Sequence, residues 1–148
     1  PADVLGRLNR LAHGFADGGL ATATFGVLDV PGRTFRWAGA GHPPPLLIGS
    51  DGARLLPPTA GMMLGADAGA TFADATVQLR PGDLLVLYTD GLIERRNSDL
   101  DADFAALRGA AADLAGSSPE DTCAALVERL VGAGHEDDVC LLVLEFLG

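Results

Sequence analysis

Apolar residues recur at helical spacing near the start of the chain. Val4, Leu5, Leu8, Leu11, Ala12 and Phe15 fall on one face of a helix over residues 3–16, and Asp17, Gly18 and Gly19 end it. The period then shortens. Residues 20–28 read as a strand, Asp29 to Gly32 as a turn, and residues 33–38 as the returning strand of a hairpin, with Phe35 and Trp37 on one face. Residues 39–45 form a Gly/Pro loop that contains His42. A second hairpin joins residues 46–48 to 53–56 through Ser50, Asp51 and Gly52. Residues 57–69 carry too many Gly and Pro for a regular element.

Ala75, Val77 and Leu79 alternate with Thr76 and Gln78, which predicts a strand over residues 71–79. After a Pro81, Gly82, Asp83 turn, residues 84–88 are continuously apolar, the mark of a central strand buried on both faces. Two helices follow. The first spans residues 103–114, with Phe104, Leu107, Ala111 and Leu114 on one stripe. The second is capped by Ser118, with Pro119 at its first position and Asp121 in its first turn. Residues 139–146 are a last strand. Hairpins dominate the connections, so the pattern favours an α+β fold with antiparallel sheets over a doubly wound parallel one.

The chain has 148 residues, which fits one domain. No apolar run reaches the roughly 18 residues of a membrane span, and no signal peptide opens the sequence, so a cytoplasmic location is expected. The net charge is −10, and all ten basic residues are Arg. Such a surface repels nucleic-acid phosphate and argues against a nucleic-acid partner. The acidity serves solubility, or some of its carboxylates gather divalent cations. Cys123 and Cys140 lie in apolar stretches without CxxC spacing, which predicts buried free thiols. Met62, Met63 and Leu64 read as core filling.

Two acidic positions stand out. Asp90 follows the apolar run 84–88 and precedes Gly91, while Asp137 and Asp138 immediately precede the last strand. A carboxylate at the mouth of a central strand is rigidly held, and Mg²⁺ and Mn²⁺ prefer such oxygen ligands. An ordinary strand-end turn also favours Asp and Gly. His42, between Gly41 and three prolines, is either an acid or phosphate contact or a loop histidine bonded to the backbone. No nucleophile elbow, P-loop or dinucleotide-binding fingerprint is present.

Three segments carry a resemblance, in order and with matching spacing: Ala38 to Pro45 (AGAGHPPP), Pro81 to Glu94 (PGDLLVLYTDGLIE) and Asp137 to Leu144 (DDVCLLVL). They resemble the SpoIIE-like branch of the PPM-type metal-dependent Ser/Thr protein phosphatases, across essentially the whole chain. The resemblance implies an antiparallel β-sandwich flanked by helices, with two Mn²⁺ or Mg²⁺ ions at one edge. It implies hydrolysis of phosphoserine or phosphothreonine esters. The usual substrate is a phosphorylated anti-anti-sigma protein of the STAS type, whose dephosphorylation leads to release of a sigma factor. By the same resemblance Asp90 and Asp137 are metal ligands, with Asp138 the alternative if the register shifts by one. Gly91, His42 and Glu94 shape the site. No protein nucleophile is implied, because a metal-held water attacks phosphorus.

The sequence departs from the family pattern in three places. Gly39 stands where Asn is usual, and Cys140 where Thr or Ser is usual. The family's two opening aspartate motifs have no match in these residues. The expectation is therefore the C-terminal portion of a phosphatase domain with its opening strands missing, inactive alone, and able to form a homodimer through unpaired sheet edges. The alternative is a pseudophosphatase or regulatory binding module in a sigma-factor partner-switching pathway.

Overall fold

The computed structural model describes residues 1–14, 19–93, 99–131 and 138–148. They form an α+β fold with two antiparallel sheets, as the hairpin-rich pattern requires. The chain divides into two compact units, Pro1–Pro44 with Pro57–Leu79, and Pro45–Leu56 with Arg80–Gly148.

The first unit opens with helix α1, Ala2–His13. Strands β1, Ala23–Asp29, and β2, Thr34–Ala40, follow as a hairpin. Of the apolar stripe expected on α1, Leu5 is fully buried and Ala12 partly, while Val4, Leu8 and Leu11 are exposed. The buried line runs instead through Leu5 and Asn9. It is narrow because the helix lies over the small side chains of Ala38 and Ala40, with Leu64 beside them. Asn9 is buried but satisfied: its Nδ2 donates to the Asp67 carbonyl at 2.8 Å, and its Oδ1 accepts from Gly65 N at 2.9 Å. Phe35 and Trp37 are both buried and stack with ring centroids 5.5 Å apart. The β2 strand runs on through Ala40, so Gly39, expected in a loop, is paired with Thr24.

The second hairpin, β3, Leu46–Gly49, and β4, Gly52–Leu55, lies in sequence between the two segments of the first unit and belongs to the second unit. Strand β5, Ala75–Gln78, completes the first unit's sheet in the order β1-β2-β5. It is shorter than expected, because Ala73 N turns to the Ala60 carbonyl and leaves the ladder. Met62 and Met63 are exposed, and only Leu64 of that run is buried, which corrects the core-filling expectation.

The second unit is built around β6, Leu84–Tyr88. Its sheet also contains β7, Leu141–Glu145, and runs β4-β3-β6-β7. The continuous apolar run is thus central, as the pattern predicts. Asp83, buried, sets the preceding turn: its Oδ2 accepts from Arg80 N at 2.8 Å. Helix α2, Leu100–Ala110, begins earlier than expected because Asp99 caps it. Helix α3, Pro119–Leu130, is capped by Ser118, whose Oγ accepts from Asp121 N. Leu107, Ala111, Leu114, Leu126 and Leu130 from the helical region close over Leu46, Ile48, Leu84 and Val86. Among the described residues no helix is long and apolar enough to cross a membrane.

Candidate metal centre

The site is assembled where β6 ends and β7 begins. The two strands are antiparallel, with Leu84 opposite Glu145 and Tyr88 opposite Leu141. Antiparallel neighbours bring the end of one and the start of the other to the same sheet edge. Thr89 extends the pairing by one step: its N–H donates to the Cys140 carbonyl at 3.0 Å. The Thr89 hydroxyl accepts from Cys140 N at 2.9 Å and donates to the Asp138 carbonyl at 3.1 Å.

Asp90 opens a single 3₁₀ turn, Asp90–Leu92. The turn is held from below, since Gly91, Leu92 and Ile93 are buried and the last two belong to the unit's apolar core. Leu92 N donates to the Thr89 carbonyl at 3.0 Å and Ile93 N to the Asp90 carbonyl at 2.9 Å. Asp90 itself stays exposed, and its Oδ1 accepts from Gly91 N at 3.1 Å. Asp138 is exposed on the adjoining segment. Beneath them Tyr88 is buried, and burial holds its phenol well above the usual range, so it remains neutral.

The structure therefore brings Asp90, Gly91 and Asp138 to one edge of the second unit's sheet. Asp137 and Glu94, both expected at the site, lie outside the described residues. His42 belongs to the first unit, where its Nδ1 is 2.9 Å from Thr22 Oγ1. It follows Gly41, whose φ of +63° turns the chain out of β2 in a conformation that suits glycine.

Carboxylate oxygens of the Asp90 and Asp138 kind suit a hard divalent cation. Among the described residues, however, no group of three or more His, Cys, Asp or Glu side chains converges as a metal site. The two carboxylates fit a hard divalent cation in kind. Cys140, expected buried, is exposed; Cys123 is half-buried, and both cysteines are free of disulfides. Burial, together with the Glu120 charge, pushes the Cys123 thiol up, which keeps it protonated at neutral pH. The Thr89 hydroxyl bonds have only a weak signal in the sequence: a hydroxyl between a buried strand and a candidate ligand.

Residues 1–147 match the family model described as stage II sporulation protein E (SpoIIE). Protein IcfG of Synechocystis sp. is 31% identical over 77 residues, 52% of this chain and 12% of IcfG. The crystal structure of the RsbU and RsbW domains of Rv1364c from Mycobacterium tuberculosis is 35% identical, with a TM-score of 0.84 over 97% of this chain and 41% of that one. The manganese-presoaked phosphatase domain of the cell fate determinant SpoIIE from Bacillus subtilis shares the fold, with a TM-score of 0.68 and 18% identity over 84% of this chain and 56% of that one. The chain spans well under two thirds of the length of each of these relatives. With residues 1–147 matching the family model and the same antiparallel fold in its relatives, the chain belongs to the SpoIIE family of PPM-type phosphatase domains.

Proposed function

We propose that this chain is part of a metal-dependent phosphoserine/phosphothreonine protein phosphatase, with Asp90 and Asp137 as ligands to Mn²⁺ or Mg²⁺. The observation that carries the reading is the antiparallel pairing of β6 with β7, which sets Asp90 and the segment that starts at Asp138 on one sheet edge. Two carboxylates from separate strands can then face one small site, as paired ions about 3.5–4 Å apart require. When bound, the ions would acidify a water and neutralise charge on the phosphoryl oxygens.

The chain's own residues supply position. Leu92 and Ile93 root the turn in the core, so the Asp90 carboxylate is presented to solvent from a fixed backbone. Gly91 N–H holds one carboxylate oxygen and so limits rotation of the side chain. The substrate proposed is a phosphorylated STAS-type anti-anti-sigma protein. Its support is family membership and the likeness to the Rv1364c structure with its RsbU and RsbW domains.

The test is Mn²⁺-dependent release of phosphate from a phosphoserine-bearing STAS protein by the full-length protein of which this chain is proposed to be part, compared with the same protein carrying Asp90→Asn. Turnover that needs Mn²⁺ and collapses in the variant is the expected result. Tight binding of the phosphorylated protein with no turnover under any metal condition would replace the reading with that of a regulatory binding module.

A further inference from the structure

Thr89 makes an exchange at the end of β6. In an antiparallel ladder, facing residues of a hydrogen-bonded pair give each other both N–H···O bonds. Thr89 gives Cys140 its N–H, but the return bond from Cys140 N goes to the Thr89 hydroxyl at 2.9 Å. The Thr89 carbonyl is thereby released from the ladder. It accepts from Leu92 N at 3.0 Å instead, which closes the 3₁₀ turn that carries Asp90. The hydroxyl hydrogen goes to the Asp138 carbonyl at 3.1 Å. A single side chain thus ends the strand, starts the Asp90 turn and ties down the segment leading into β7.

We propose that the Thr89 hydroxyl is a positioning residue for the metal site: it fixes the distance between the Asp90 turn and the Asp138 backbone. This rests on the metal-site reading of Asp90. Valine keeps the branched shape and the strand preference but can neither accept from Cys140 N nor donate to the Asp138 carbonyl. Both backbone groups would then seek other partners, and the carboxylates would lose their common frame. Residues that orient ligands typically cost 10–100-fold in metal affinity when removed.

The experiment is Mn²⁺ titration of the full chain, followed by the spin-resonance signal of free Mn²⁺, for the wild type, Thr89→Val, Thr89→Ser and Asp90→Asn. Hydrogen exchange at the Cys140 amide is read on the same metal-free proteins. Expected are roughly tenfold or weaker Mn²⁺ binding and faster Cys140 exchange in Thr89→Val, with both returned to the wild-type range in Thr89→Ser. Thr89→Ala takes the place of Thr89→Val if the latter does not fold. Wild-type affinity in Thr89→Val alongside lost affinity in Asp90→Asn overturns the inference alone. Equal weakening in Thr89→Val and Thr89→Ser also overturns it, since the methyl group and not the hydroxyl would then matter. No binding by the wild type, or unchanged binding in Asp90→Asn, overturns the metal reading and this inference with it.

Discussion

Arg129 reaches from the last turn of α3 to Asp113, just beyond α2, and grips both carboxylate oxygens, with N–O distances of 2.5 and 3.2 Å. Its Nη1 also donates to the Ala110 carbonyl, near the end of α2. The guanidinium therefore fastens α3 to the close of α2 through one charge-assisted, two-pronged contact.

That contact makes the helix pair sensitive to acid. The Arg129 hydrogen bonds hold the Asp113 carboxyl below the usual carboxylate range. Its stabilising effect is present above the unfolded value of roughly 4 and is lost as pH falls through the lower folded value. Melting temperature measured against pH should show a shallower acid limb in Asp113→Asn than in the wild type. Both groups are exposed, so the effect should be small and should shrink further in high salt. Identical acid limbs would remove the pair from any account of stability.

Asn9 offers a larger effect. Removing its amide in Asn9→Ala leaves Gly65 N without its acceptor and the Asp67 carbonyl without its donor, and should cost about 1–3 kcal/mol in urea unfolding. Asn9→Asp keeps the acceptor but sets a carboxylate against the Asp67 carbonyl, so its deficit should grow as pH rises above the carboxyl range.

These residues show where the sequence was readable and where it was not. The β6 strand was legible because a run of five apolar residues between turn signals has few other uses. Ser118 and Pro119 marked the start of α3 for the same kind of local reason. On α1 the periodicity gave the helix but not its buried face. Leu8 and Leu11 satisfy the helical spacing as well as Leu5 does, and the choice was made by the small residues of β2 beneath them. Asn9 was invisible because its partners lie 56 and 58 residues away. At the candidate metal centre, the place of Asp90 just past the β6 strand was legible from the apolar run before it, whereas the hydrogen bonds of Thr89 depend on a cross-strand register that one sequence does not display.

Gly26 is constrained by a long-range contact of this kind. A methyl group there would fall on the Phe35 ring, which stacks on Trp37. Gly26→Ala should therefore destabilise by about 1–3 kcal/mol, the usual range for overpacking, and should reduce the near-ultraviolet signal of Trp37. Gly26→Ala with both properties unchanged would mean that the ring moves aside freely.

Thr122 should behave in the opposite way. It is fully buried in α3, and among the described residues its Oγ1 has no hydrogen-bond partner. Such a hydroxyl costs free energy, so Thr122→Val should be neutral or stabilising by up to about 1 kcal/mol in urea unfolding. Clear destabilisation would reveal a partner for that oxygen.

The sharpest functional prediction separates the two neighbouring aspartates before β7. The family resemblance puts the ligand at Asp137, with Asp138 the alternative one residue on. The Asp138 backbone is anchored through its carbonyl to the Thr89 hydroxyl, while its carboxylate is exposed, so the two aspartates must be told apart by substitution. A ligand that neutralises phosphoryl charge through the metal is worth several kcal/mol, or about 100-fold or more in rate. In the full-length protein, Asp90→Asn and Asp137→Asn should each lower kcat/KM for a phosphoserine substrate by at least this much, while Asp138→Asn should lower it by about tenfold or less. Asparagine keeps the shape and one carbonyl oxygen but removes the charge, so the comparison reads ligation rather than packing. If Asp138→Asn is the crippled variant and Asp137→Asn is not, the ligand moves to Asp138. If neither variant loses activity while Asp90→Asn does, the second carboxylate of the site comes from elsewhere in the chain.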